Sequence, residues 1–104
     1  MIAALLVEID ELVHESDAEG VSIELDVEEE DDIASVWLAS IERTCGVVGA
    51  GSRALQKLIE ICAEHCVVLA GAIEPPNSNL ENYYAAQGFE IERHGHRTII
   101  TRTP

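Results

Sequence analysis

Residues 46–55 read Gly46-Val47-Val48-Gly49-Ala50-Gly51-Ser52-Arg53-Ala54-Leu55, and their reading decides the fold. Before them lies an apolar segment, residue 33 to about residue 41, which contains Val36, Trp37 and Leu38 and reads as a strand with Trp37 in the core. After them, Leu55, Leu58, Ile59, Cys62 and Cys66 share one helical face while Lys57, Glu60 and Glu64 fall off it. A strand that enters a helix through closely spaced glycines makes a definite kind of place. Glycine lets backbone approach an anion, and the first N–H groups of the helix, reinforced by its dipole, point at that spot. The stretch is not a P-loop, because no Gly-Lys-Ser/Thr follows. Nor does an acidic residue end the next strand at the interval of a dinucleotide site. Taken alone, it is equally compatible with a tight strand-to-helix turn that binds nothing.

Outward toward the N-terminus, Ile2, Leu5, Leu6, Ile9, Leu12 and Val13 recur at helical spacing, with Glu8, Glu11 and Glu15 turned away. Glu19-Gly20 ends that helix. Val21, Ile23, Leu25 and Val27 then alternate with Ser22, Glu24, Asp26 and Glu28, the pattern of a half-buried strand, and residues 28–32 form a solvated acidic turn. Toward the C-terminus, the uncharged run Val67-Val68-Leu69-Ala70 predicts a strand covered on both faces, broken by Glu74-Pro75-Pro76-Asn77. A shorter helix over about 78–87 carries Leu80, Tyr83 and Tyr84 on one face, with Gly88 in the position of a C-terminal cap. Residues 89–92 and 98–101 flank His94-Gly95-His96 as a hairpin. The order predicts one domain, 1–104, of the α+β class with mixed α/β layers.

The 104 residues carry 20 Asp and Glu against 6 Lys and Arg, a formal charge of −14, and every unit of that excess falls in residues 1–42. Such a field repels phosphate backbones and anionic lipid, which excludes direct nucleic-acid and membrane-surface binding. A 47% hydrophobic content opposes a disordered acidic tail. The apolar start has no basic flank and soon meets Glu8 and Asp10, and three cysteines fit reduced thiols, so a cytoplasmic protein is expected. Cys62, His65 and Cys66 lack the paired short spacing of a zinc site, His94 and His96 lack a third ligand, and no metal is expected.

Gly49-x-Gly51-Ser52-x-x-Leu55, then an apolar strand, then Asn77 and Tyr84-Ala85-Ala86-Gln87-Gly88-Phe89, together resemble the GNAT superfamily of N-acetyltransferases. The resemblance covers about residues 35–101. It implies a central mixed β-sheet with helices on both faces, abbreviated at the N-terminus, and acetyl-CoA as co-substrate. It further implies that the backbone at Ile41 lines the pantetheine arm. Val47, Val48, Gly49, Ala50, Gly51 and Ser52 would hold the pyrophosphate, with Asn77 near the splayed end of the next strand. Tyr84 would protonate the departing thiolate. The chain departs from the family motif at Gly46, where Arg or Gln is expected, and at Val47, where glycine is expected; Arg43 and Arg53 stand near enough in sequence to offset this. No general base stands out, Glu42, Glu74, His94 and His96 all being surface-type residues. The implied activity is acetyl transfer to a primary amine of a small molecule or protein, a cation that the acidic half would attract. The alternative is an inactive GNAT-like protein whose acidic half docks on a basic partner, with homodimerisation through the first helix a further possibility.

Overall fold

A computed structural model describes residues 2–31, 33–43 and 49–104, without the side chains of Ile2, Glu42 and Arg43. The elements are α1 (Ile2–Ala18), β1 (Val21–Glu30), β2 (Ile33–Arg43), α2 (Ala50–Glu64), β3 (Val68–Ile73), α3 (Ser78–Ala86), β4 (Glu90–His94) and β5 (Arg97–Arg102). The strands form one five-stranded sheet in the order β1-β2-β3-β5-β4. β2 and β3 pair parallel and every other neighbouring pair is antiparallel. This is the expected mixed sheet with helices.

Alternation along the strands decides which face is covered. Leu69, Gly71 and Ile73 are the buried positions of β3, and their cross-strand partners Val36 and Leu38 on β2 and Thr98 and Ile100 on β5 are buried with them. Register partners point to the same side of a sheet, so one face carries the whole buried set. α2 lies on it by crossing from β2 to β3, and α1 lies beside α2 through Leu5, Ile9 and Leu12. Lys57 meets Glu15 at 3.5 Å, and His65 bonds Glu8, both across the α1–α2 seam. α3 lies there too, because Glu81 accepts a hydrogen bond from the buried Thr98 hydroxyl.

The three helices therefore share one face, where helices on both had been expected. The molecule is 20 Å in its thinnest direction, which suits one sheet and one helix layer about 10 Å apart. Three further expectations are corrected for the same reason. β3 extends to Ile73 and is covered on one side only, with Val68, Ala70 and Ala72 part-exposed on the other. Trp37 pairs with Ala70 and lies on that uncovered side, outside the core. Cys66 is exposed with φ 55, because α2 stops at Glu64 before the apolar stripe reaches it.

The acidic stretch is less of a turn than expected. β1 runs through Glu30, which pairs with Ile33, so only Asp31 and Asp32 separate the strands, Asp31 with φ 52. At the other end Gly88 has φ 93 and terminates α3, and Gly95 at φ 61 turns the β4–β5 hairpin, both as the sequence predicts. No described helix is long and apolar enough to cross a membrane.

Candidate functional site

The parallel pairing of β2 with β3 runs from Ser35 opposite Val68 to Leu38 opposite Gly71, and there it stops. Neither strand ends at that point. β2 continues along β1 to Arg43, and β3 continues along β5 to Ile73. The two strands diverge, and a cleft of about 420 Å³ opens between them. Ile41, Ile73, Asn77, Leu80, Tyr84 and Ile100 line it. Backbone edges of Ala39–Ile41 and of Ala72 and Ile73, no longer bonded across the pair, face a common gap. Such an edge is what an extended polar chain can join as an extra strand.

A bulge sets the wall of the cleft. Glu24 pairs with Ser40 and Leu25 with Leu38, which leaves Ala39 without a partner on β1. The extra residue shifts the alternation, so that Ile41, opposite Ile23, returns to the side of Leu38. Without it, Ile41 would face away from Tyr84.

No described residue of α2 lines this cleft, but its first turn is tied through Ser52 to Tyr83 of α3, which carries Tyr84 into the cleft. Gly49 precedes α2 in the left-handed region, φ 84, and the first bond the helix makes there is from Arg53 N–H to the Gly49 carbonyl, 3.0 Å. The N–H groups of Ala50, Gly51 and Ser52 belong to the first turn, which has no carbonyls of its own helix to bond. No side chain at Gly49 caps them. A Cβ on Gly51 would meet nothing within 4 Å among the described residues, so the turn is open on that side. A Cβ on Gly49 would lie 3.5 Å from the Arg53 guanidinium, which places that cation over the turn. Arg53 also sits 4.0 Å from Glu19, both side chains half-exposed. Val47 and Val48, expected in the same loop, lie outside the described residues, as do Gly46 and Cys45.

Tyr84 is 8% exposed and reaches the cleft from α3. Its ring packs edge-on against Phe89 and Tyr83, with centroids 5.3 Å away in both cases. Burial, and next the neighbouring Tyr83, push its phenol above the usual tyrosine value. The hydroxyl therefore keeps its proton at neutral pH and can donate it. Asn77, exposed, also lines the cleft, and its Oδ1 accepts from the N–H groups of Asn79 and Leu80 at 3.0 and 3.1 Å. That is an N-cap for α3, and it leaves the carboxamide nitrogen as the group available to a ligand.

Two residues that sequence reasoning did not single out hold this arrangement. Tyr83 donates its hydroxyl to Ser52 Oγ at 2.9 Å, tying α3 to the first turn of α2. Glu81, also on α3, is buried and accepts from Arg93 at 2.7 and 2.9 Å and from Thr98. The Arg93 bonds and then the Thr98 bond draw its carboxyl down to about 2. The sequence marks Glu81 only as an acidic residue three positions before Tyr84, on the same helical face, and nothing local signals the Tyr83 contact. Among the surface-type candidates for a base, Glu74 lines the cleft, whereas His94 and His96 are exposed at the hairpin and do not.

Arabidopsis thaliana Naa50, a GNAT N-acetyltransferase solved in complex with the bisubstrate analogue CoA-Ac-MVNAL, is similar in structure at a TM-score of 0.66 and 14% identity. The match covers 79% of this chain and 64% of that one, so this chain spans less than two thirds of its length. The fold is thus GNAT-like, a five-stranded mixed sheet with helices as in that neighbour. No protein-family model matches the sequence, and no curated protein does at a significant level.

Proposed function

We propose that this chain is an acetyl-CoA-dependent N-acetyltransferase acting on a primary amine. The observation that carries the reading is that Tyr84 and the splayed backbone at Ile41 line one cleft, while the Tyr83–Ser52 bond ties the helix of Tyr84 to the uncapped first turn of α2. The residues fit the co-substrate. Amides of Gly49, Ala50, Gly51 and Ser52, with Val47 and Val48, would hold the pyrophosphate, supported by the positive end of the α2 dipole and by Arg53. The edge at Ile41 and the amide of Asn77 would hold the pantetheine arm. Acetyl-CoA, when bound, supplies an acyl group activated as a thioester.

The chain's own residues do the rest. Tyr84 Oη holds a proton that a departing thiolate needs. The cleft walls Ile41, Ile73, Leu80 and Ile100 give the thioester end of the arm an apolar surface to displace water from when it binds. An amine arrives as a cation, and the acidic excess of residues 1–42 raises its local concentration. Glu74, exposed at the rim, can take its proton directly or through water.

Isothermal calorimetry with acetyl-CoA tests the reading. Saturable binding that Arg53→Glu weakens supports it, and turnover of a polyamine or N-terminal peptide panel would then name the acceptor class. No heat and no thermal stabilisation at millimolar acetyl-CoA would end it.

A further inference from the structure

The side of the sheet turned away from the helices has its own organisation, read directly from the register. One row across the strands runs Asp26, Trp37, Ala70, Thr101, Glu90, each the cross-strand partner of the next. A neighbouring row runs Ala72, Ile99, Glu92, and another runs Glu28, Ser35, Val68. The middle of this face is small and apolar, with Val68, Ala70 and Ala72 forming a floor along β3 between Trp37 on β2 and Ile99 on β5. All five are part-exposed. Both borders are acidic and exposed: Glu24, Asp26 and Glu28 on β1, Glu90 and Glu92 on β4. Arg97, by the β4–β5 turn, is the one Lys or Arg on this face among the described residues.

We propose that this face is the docking surface for a cationic amphipathic helix of a partner protein, laid along β3 with its apolar stripe on Ala70 and its basic flanks over the two acidic borders. Three features favour that occupant. A sheet face left to water ordinarily carries polar residues at alternate positions, yet the uncovered side of β3 is Val68, Ala70 and Ala72. The small residues of β3 lie between the larger Trp37 and Ile99, a row along which a rod can lie. Strands about 4.8 Å apart set β1 and β4 about 19 Å apart, so a helix about 10 Å across lies between the acids with room for lysine or arginine side chains to reach them. The six residues of β3 span about 20 Å, the length of about 13 helical residues.

Charge rules out the simplest competitor. A second copy placed face to face would oppose acidic borders to acidic borders, with Arg97 alone to offset them. The same charge excludes an acidic peptide. This inference does not rest on acetyl transfer, and either can fail without the other.

Trp37 is the only tryptophan in the chain, so its emission reports on this face alone. The probe is a synthetic 14-residue helical peptide with a leucine stripe flanked by lysines, and the control is the same peptide with glutamates for lysines. The expected result is saturable binding of the lysine peptide with a blue shift of Trp37, weakened by salt. Asp26→Lys together with Glu90→Lys, both exposed and checked for folding by circular dichroism, should weaken it about tenfold or more. Equal binding of the glutamate peptide, or full affinity in the double variant, overturns the proposal. So does a blue shift that grows with protein concentration alone and accompanies dimers in sedimentation, because the occupant is then a second copy. Absence of binding by the lysine peptide overturns it as well.

Discussion

Tyr83 donates a hydrogen bond to Ser52 across 31 positions of sequence, and it joins the helix that carries Tyr84 to the uncapped first turn of α2. The two halves of the candidate site are thereby held in one geometry. Tyr83→Phe and Ser52→Ala should each cost about 0.5–1.5 kcal/mol, the ordinary worth of such a bond. The double variant should cost little more than either alone. Urea denaturation of the four proteins in that cycle checks it, and additive losses would show that the bond carries no coupling.

Tyr84→Phe removes the proposed proton source while leaving the ring that packs on Phe89. Acetyl transfer at saturating substrate should fall about a hundredfold, with acetyl-CoA affinity nearly unchanged. Steady-state rates over pH 6–9 separate these effects. A fully active variant would remove Tyr84 from the chemistry without disturbing the rest of the site.

Gly51 and Gly71 should answer a methyl group with opposite signs. Gly51 has open space around it in the first turn of α2, so Gly51→Ala should stabilise the fold by about 0.4–1 kcal/mol while weakening acetyl-CoA binding. At Gly71 a Cβ would stand 3.0 Å from the Leu38 carbonyl and 3.4 Å from the Leu38 Cβ. That is the last β2–β3 pair before the strands part, and Gly71→Ala should cost about 1–3 kcal/mol. Thermal melts with and without acetyl-CoA distinguish the two.

The Glu81 carboxyl, held at about 2 by Arg93 and Thr98, makes stability depend on acid. Its folded value lies below the unfolded one, so its contribution is complete above about pH 4.5 and disappears as pH falls toward 2. Glu81→Gln should be less stable at neutral pH, and the gap between variant and parent should close over that window. Urea midpoints measured from pH 7 to 2 test the sign; a gap that widens on acidification would refute it.

The sequence made the order of elements legible because most helices and strands here obey a simple period. α1, β1 and α2 each show one apolar stripe, and Gly88 and Gly95 mark turns that only a left-handed residue completes easily. What failed was the sidedness of the middle strands. Val67-Val68-Leu69-Ala70 lacks polar residues, so nothing in it says that Val68 and Ala70 face away from the core, and Trp37 was placed in the core on hydrophobicity alone. In the candidate site, Ile41, Asn77 and Tyr84 do share one cleft. Ile41 reaches it through a bulge at Ala39 that has no local sequence mark, and the Tyr83–Ser52 bond exists only after α2 and α3 are packed.

A sheet that stops growing needs something at its margins. β1 and β4 are the outermost strands, and each would offer a row of unpaired backbone groups to any neighbour. β1 has Glu24, Asp26, Glu28, Glu29 and Glu30 along its length, and β4 is five residues long with Glu90 and Glu92 among them. Two copies that tried to zip margin to margin would bring like charges within a strand spacing at every second residue. Pairing of two copies along β1 or β4 is thereby opposed by charge, and neutralising those carboxylates removes that opposition.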